Sequence, residues 1–192
     1  MRRVAVAVCA LLICAACSEP PHKEIDRAQG AIEAARAAGA EQYAQASFAA
    51  ATTAMQETHE AVDQRDYRLA LSRAIDANDR ALEAATQAAD GKARARSEAE
   101  VAVARASPFL RQLDDRLKAA EGARLTPTEL APARQARTEA DRTLQEARAA
   151  VDRGDYAAAT MSVNGLAEKI TAETRSLDEL ITQRTARAPR RR

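Results

Sequence analysis

The chain has 192 residues and a formal net charge of +1, enough for one domain and hardly two. Alanine supplies 50 residues, whereas Leu, Ile, Val and Phe together supply 30, too few for a thick globular core. With 8 Val, 6 Ile, no Trp and 3% aromatics the composition disfavours a sheet protein, and the near-zero net charge argues against disorder. Alanine is the best helix former, and Arg, Glu and Gln follow closely. Long, thinly packed helices are therefore expected, with an unfolding free energy near the low end of about 5–15 kcal/mol.

In chain order, Met1-Arg2-Arg3 is a short positive segment and Val4 to Ile13 an unbroken apolar run, followed by Cys14-Ala15-Ala16-Cys17. A charged start, a short apolar stretch and small residues before a cut form signal-peptide anatomy. The run is about half the length of about 20 residues that a bilayer span needs. All three cysteines, Cys9, Cys14 and Cys17, fall here. The stretch ending at Cys17 resembles a bacterial lipobox, whose usual form is Leu-(Ala/Ser)-(Gly/Ala)-Cys. Ala15 and Ala16 match, and Cys14 stands where Leu is usual. The resemblance implies cleavage before Cys17 and lipidation of its thiol and freed amine, giving an anchor of two or more acyl chains. Ordinary cleavage after Ala16 is the alternative. Ser18, where Asp would hold a lipoprotein at the inner membrane, implies an outer-membrane protein facing the periplasm, or a cell-membrane protein in a single-membrane source. Residues 1–16 are read as the signal peptide and 17–24 as a tether.

An internal repeat follows at an offset of 89 residues: Ala61-Val62-Asp63-Gln64-Arg65-Asp66-Tyr67 matches Ala150-Val151-Asp152-Arg153-Gly154-Asp155-Tyr156. Phe48, Ala51, Met55, Thr58 and Val62 share a 3-4 spacing with Leu130, Ala133, Ala140, Leu144, Ala147 and Val151, which is helical periodicity. Asp66 and Asp155 are placed to cap the next helix, and Gly154 suits a left-handed helix end. Beyond the turns, stripes are expected at Leu71, Ile75, Asn78, Leu82, Ala85 and Ala89, and at Tyr156, Ala159, Val163, Leu166 and Ile170. Short turns make neighbouring helices antiparallel. The expected fold is all-α, with two antiparallel helical hairpins, 25–106 and 126–185, in an elongated bundle or coiled-coil-like array. Residues 107–125 are expected to connect them, with a kink or restart at Ser107-Pro108 and a stripe of Leu110, Leu113, Leu117 and Ala120. Asp90-Gly91 is a second place where a helix could weaken. Thr126-Pro127-Thr128-Glu129 is a capping box with Pro at the first helical position.

The Asp-Tyr-x-x-Ala turns, Asp66 to Ala70 and Asp155 to Ala159, each after an Ala-rich helix, resemble an uncharacterised family of bacterial envelope lipoproteins. That family consists of Ala-rich, tetratricopeptide-like helical-hairpin domains of unknown function. The likeness covers about 43–85 and 130–175. The first copy has Tyr43 where the second has Pro132. The resemblance implies an envelope location and no known catalysis. A true tetratricopeptide array would repeat every 34 residues or so.

No catalytic residues are singled out. His22 lies in the tether and His59 lacks a Glu three residues before it, so the Glu-x-x-His pair of di-iron bundles is missing and no metal or cofactor is expected. Asp63 with Asp66 and Asp152 with Asp155 could be carboxylate dyads, but turn capping accounts for them. Tyr67 and Tyr156 are read as plugs at the hairpin ends. The basic C-terminus, with Arg184, Arg187, Arg190, Arg191 and Arg192, points to anionic lipid or cell-wall polymer rather than nucleic acid in an exported protein, or to a solvated tail over 186–192. A non-catalytic binding scaffold or adaptor with a protein partner in the envelope is the leading expectation; a self-associating coiled-coil spacer between membrane and wall is the alternative.

Overall fold

A computed structural model describes residues 19–187. The fold is all-α, and there is no strand among the described residues. Seven helices follow in order: α1 His22–Ala37, α2 Ala40–Tyr43, α3 Gln45–Asp63, α4 Tyr67–Gly122, α5 Pro127–Asp152, α6 Tyr156–Val163 and α7 Leu166–Arg187. The chain divides into two compact units at residues 93 and 94, within α4. The expected boundaries shift accordingly. Residues 94–106, assigned above to the first hairpin, belong to the second unit, because Val103 and Ala106 are buried in its core. The tether is also shorter than expected. His22 to Glu24 already lie in the first turn of α1, where the Ile25 amide donates to the Pro21 carbonyl.

In the first unit, α1, α2, α3 and the start of α4 surround a core made mostly of alanine. Ala28, Ile32 and Ala35 of α1 meet Phe48, Ala51, Ala54 and Met55 of α3 and Ala77, Ala81, Ala84 and Ala88 of α4. Cross-helix contacts run in opposite order along α3 and α4. Ser47 Oγ donates to Gln87 Oε1 at 2.8 Å, and Arg73 pairs with Glu57 at 3.0 Å. The one polar residue in this core, Thr58, is fully buried and donates its hydroxyl to the Ala54 carbonyl at 2.8 Å, so no donor is left unpaired.

The stripe expected on the first part of α4 is not the one that packs. Ala70, Ala74, Ala77, Ala81, Ala84 and Ala88 are buried, each one place before a position of the expected stripe. Leu71, Ile75 and Leu82 are 38%, 49% and 55% exposed. Both sets have the same 4-3-4 spacing, so periodicity cannot choose between them. An alanine seam lets two helix backbones come closer than a leucine seam would, and the close approach decides the face.

Nor does α4 break at either expected place; it runs on through Asp90-Gly91 and through Pro108. Gly91 serves close approach rather than a turn. A Cβ there would stand 3.0 Å from Tyr43 Cβ and 3.1 Å from the Tyr43 carbonyl oxygen. At Pro108 the lost amide bond is tolerated in a segment whose neighbours Ala106 and Leu113 are buried in the core. Gly→Ala inside a helix ordinarily stabilises by about 0.5–1 kcal/mol. We expect that gain at Gly30 of α1, where a Cβ meets nothing within 4 Å. At Gly91 we expect the opposite sign, a loss of about 1–3 kcal/mol from overpacking against backbone. Urea unfolding of the two variants checks this; a stabilised Gly91→Ala chain would refute the close approach.

The second unit packs the end of α4 with α5, α6 and α7 around larger side chains. Leu113, Leu117, Leu130, Leu144, Ile170 and Leu177 lead its core. Arg134 with Glu121, Arg137 with Asp114 and Arg148 with Ser107 step in opposite directions along α4 and α5. The stripe from Tyr156 through Ala159, Val163, Leu166 and Ile170 is buried as expected. A break at Asn164-Gly165, with Gly165 at φ +72°, splits its helix into α6 and α7.

Candidate functional site

The two repeated turns close their helices in the same way. In the first, the Asp66 amide donates to the Ala61 carbonyl and the Arg65 amide to the Val62 carbonyl, both at 2.9 Å. In the second, Asp155 and Gly154 donate to Ala150 and Val151 at the same distances. This is the Schellman pattern, with Arg65 at φ +60° and Gly154 at φ +80° in the left-handed position. Each Asp then opens the next helix. The Asp66 carboxylate accepts from the Leu69 amide at 3.0 Å, and Asp155 from the Ala158 amide at 3.2 Å. One residue thus satisfies orphan groups of two helices, and both caps are engaged within the chain. Tyr156 is 8% exposed and lies over the turn, with its hydroxyl 4.0 Å from where a Gly154 Cβ would stand. Tyr67 is half-buried. Asp63 and Asp152 are exposed.

The copies differ in the left-handed residue. A non-glycine there costs about 1 kcal/mol or more. Arg65→Gly is therefore expected to stabilise by up to about 1 kcal/mol, and Gly154→Ala to destabilise by a similar amount. Thermal melts of the pair measure it; equal melting points for both variants and the parent would rule out strain at these positions.

A third turn, between α4 and α5, carries the strongest polar cluster. Arg124, at φ +59°, and Leu125 donate to the Glu121 and Ala120 carbonyls. Glu129 Oε2 accepts from the Thr126 amide at 2.6 Å and from its hydroxyl at 2.9 Å, and the Glu129 amide donates to Thr126 Oγ1 at 3.3 Å. Arg184 of α7 reaches both Glu129 oxygens, at 3.1 and 2.8 Å. In the sequence Arg184 reads as part of the basic C-terminus; here it joins the end of the last helix to the start of α5. No local signal pairs residues 55 positions apart.

The Thr126 amide, then its hydroxyl, and then the Arg184 charge hold the Glu129 carboxyl below the ordinary carboxylate range. A depressed folded pKa contributes stability above the unfolded pKa, and that contribution is lost as pH falls through the folded value. Glu129→Gln should therefore be less stable than the parent at neutral pH. The gap should close as pH drops below about 4. A gap that is constant with pH would contradict the charge-based account.

Open grooves mark the surface of the second unit. One of about 530 Å³ is lined by Ala106, Phe109, Val163 and Met161, with Arg105 and Glu168 among its polar residues; Met161 is 77% exposed. Another, of about 310 Å³, brings Glu100, Ser107, Arg148 and Asp152 around Val103 and Val151. Among the described residues no group of three or more His, Cys, Asp or Glu side chains is arranged to hold a metal ion. His59 is exposed on α3, and the nearby Glu57 pairs with Arg73. No described helix is long and apolar enough to cross a membrane. Cys17, Arg190, Arg191 and Arg192 lie outside the described residues. Comparison of the chain with protein-family models, with characterised proteins and with solved structures finds no match in any of the three.

Proposed function

We propose that the protein is a lipid-anchored envelope protein that acts by binding, as a non-catalytic scaffold or adaptor presenting helical surfaces to a protein partner. Cys17 carries the lipid, and the outer membrane facing the periplasm is the proposed location. The resemblance of Ala15-Ala16-Cys17 to a lipobox supports the anchor. The observation that carries the binding role is the inversion on α4: alanines fill the core while Leu71, Ile75 and Leu82 stand exposed. Large apolar side chains are scarce in this chain, and leaving them outside the core has a cost in solubility that a partner would offset. Arg190, Arg191 and Arg192 would add attraction to anionic lipid or cell-wall polymer.

The resemblance of the turns to Ala-rich helical-hairpin lipoproteins agrees with this reading. Mass spectrometry of the mature N-terminus tests the anchor; a free Cys17 thiol and amine would refute it. Crosslinking in native envelopes, with identification of what is captured, tests the binding role, and a chain that captures nothing would defeat it. The heptad spacing of the exposed stripe favours a second reading, a self-associating helical spacer between membrane and wall.

A further inference from the structure

We propose that the turn between α3 and α4 rests on the membrane that anchors Cys17, with Arg65 and Arg68 meeting lipid phosphates and Leu69 entering the headgroup layer. The inference rests on the proposed lipid at Cys17 and adds a second contact, one that sets which end of the first unit faces the bilayer. α1 and α3 run in opposite directions, because the Arg36 guanidinium near the end of α1 stands 5.5 Å from the centre of the Phe48 ring at the start of α3. His22 precedes Arg36 by 14 residues and Val62 follows Phe48 by 14, about 21 Å of helix in each case. His22 and Val62 therefore lie level, and the chain enters the first unit beside its α3–α4 turn. Pro20 and Pro21 are half-buried, and the Pro20 carbonyl accepts from the His22 amide at 2.8 Å, which fixes that point of entry. Cys17 stands three residues before Pro20, at most about 11 Å of extended chain. A lipid on Cys17 thus holds this turn within reach of the headgroups.

The second copy of the turn shows what the first carries beyond the needs of its backbone. Both copies make the same Schellman bonds and the same Asp caps. At matching places the first has Arg65, Arg68 and Leu69 where the second has Gly154, Ala157 and Ala158. In the other direction, Arg153 stands where the first copy has Gln64. Arg65, Arg68 and Leu69 are all exposed, and neither arginine forms an ion pair among the described residues. Arg65 keeps a φ of +60° that glycine would adopt without strain. Arg124 carries the same strain in the α4–α5 turn, so the mark of this site is the company of Arg68 and Leu69 beside the tether. Arg68 and Leu69 border, with Asp66 and Ser72, an open hollow of about 350 Å³. Arginine stems lie along apolar surface and carry their charge out to phosphate, and a leucine beside them gains by leaving water. Asp63 and Asp66 offset the two charges, so the turn is not a basic patch that would capture a membrane from solution. The tether removes that need, because it keeps lipid at a high effective concentration next to the turn.

The mature, acylated chain in vesicles of equal parts phosphatidylcholine and phosphatidylglycerol tests the proposal. Acylation blocks Cys17, so a fluorophore on Gln64→Cys reads the turn alone. A fluorophore on Gln42→Cys, in α2 at the other end of the first unit, gives the comparison. Brominated lipid should quench the probe at 64 several-fold more than the probe at 42. Giving the first turn the residues of the second, Arg65→Gly with Arg68→Ala and Leu69→Ala, should bring the two probes to equal quenching. The chain already folds those residues into the same turn, and an unchanged helical circular dichroism signal verifies it. Flotation with the vesicles reads the anchor separately. A parent chain that does not float lacks the lipid, and both the anchor and this contact fall. A parent that floats with its two probes equally quenched refutes the contact and leaves the anchor standing. Quenching at 64 that survives the triple substitution also overturns the proposal, because it assigns the approach to the tether and not to these side chains.

Discussion

Truncating Tyr156 to alanine is expected to lower the unfolding free energy by about 3–5 kcal/mol, the usual cost of removing a buried aromatic ring. Tyr156 is 8% exposed, opens α6 next to the Asp155 cap, and lies against the left-handed Gly154 turn. Its removal leaves a void where α5 and α6 meet, beside the Schellman bonds that end α5. Tyr67, half-buried at the matching place, should cost less. The hydroxyl sits at the edge of the turn, so Tyr156→Phe should be mild. This ordering separates a structural plug from a ligand site, where Phe would abolish binding and Ala would barely change the melting point. Guanidinium unfolding of the three variants decides it, and a Tyr156→Ala chain as stable as the parent would make the surface role the better reading.

Leu113→Ala should be comparably severe, at about 2–5 kcal/mol, because Leu113 is fully buried among the large side chains of the second unit. In the same helix, Leu82→Ala should change the stability of the dilute chain by no more than about 0.5 kcal/mol, since Leu82 is 55% exposed. Both leucines lie in heptad-spaced stripes of α4, so the contrast tests the packing and not the pattern. Calorimetry of each variant at low concentration gives the comparison. Equal losses would mean that the first unit buries the leucine stripe after all.

The all-α fold, the positions of the two turns and the capping box at Thr126 were legible in the sequence because each rests on local chemistry. Alanine and arginine favour helix wherever they sit. An Asp after a left-handed residue caps whatever helix follows, and Thr-Pro-Thr-Glu encodes its own hydrogen bonds. The stripes of α3, α5, α6 and α7 were legible too, since each had one apolar face to bury. On α4 the apolar arc is wide, with alanine stripes beside leucine stripes at the same spacing, and spacing could not rank them. Tertiary packing decided that the alanine face goes inside, because small side chains permit the closer helix contact. It also decided that Gly91 receives Tyr43 instead of ending a helix, that α4 continues through Pro108 inside a packed neighbourhood, and that Arg184 grips Glu129. Each of these depends on groups brought together from distant parts of the chain, and local sequence holds no record of such meetings.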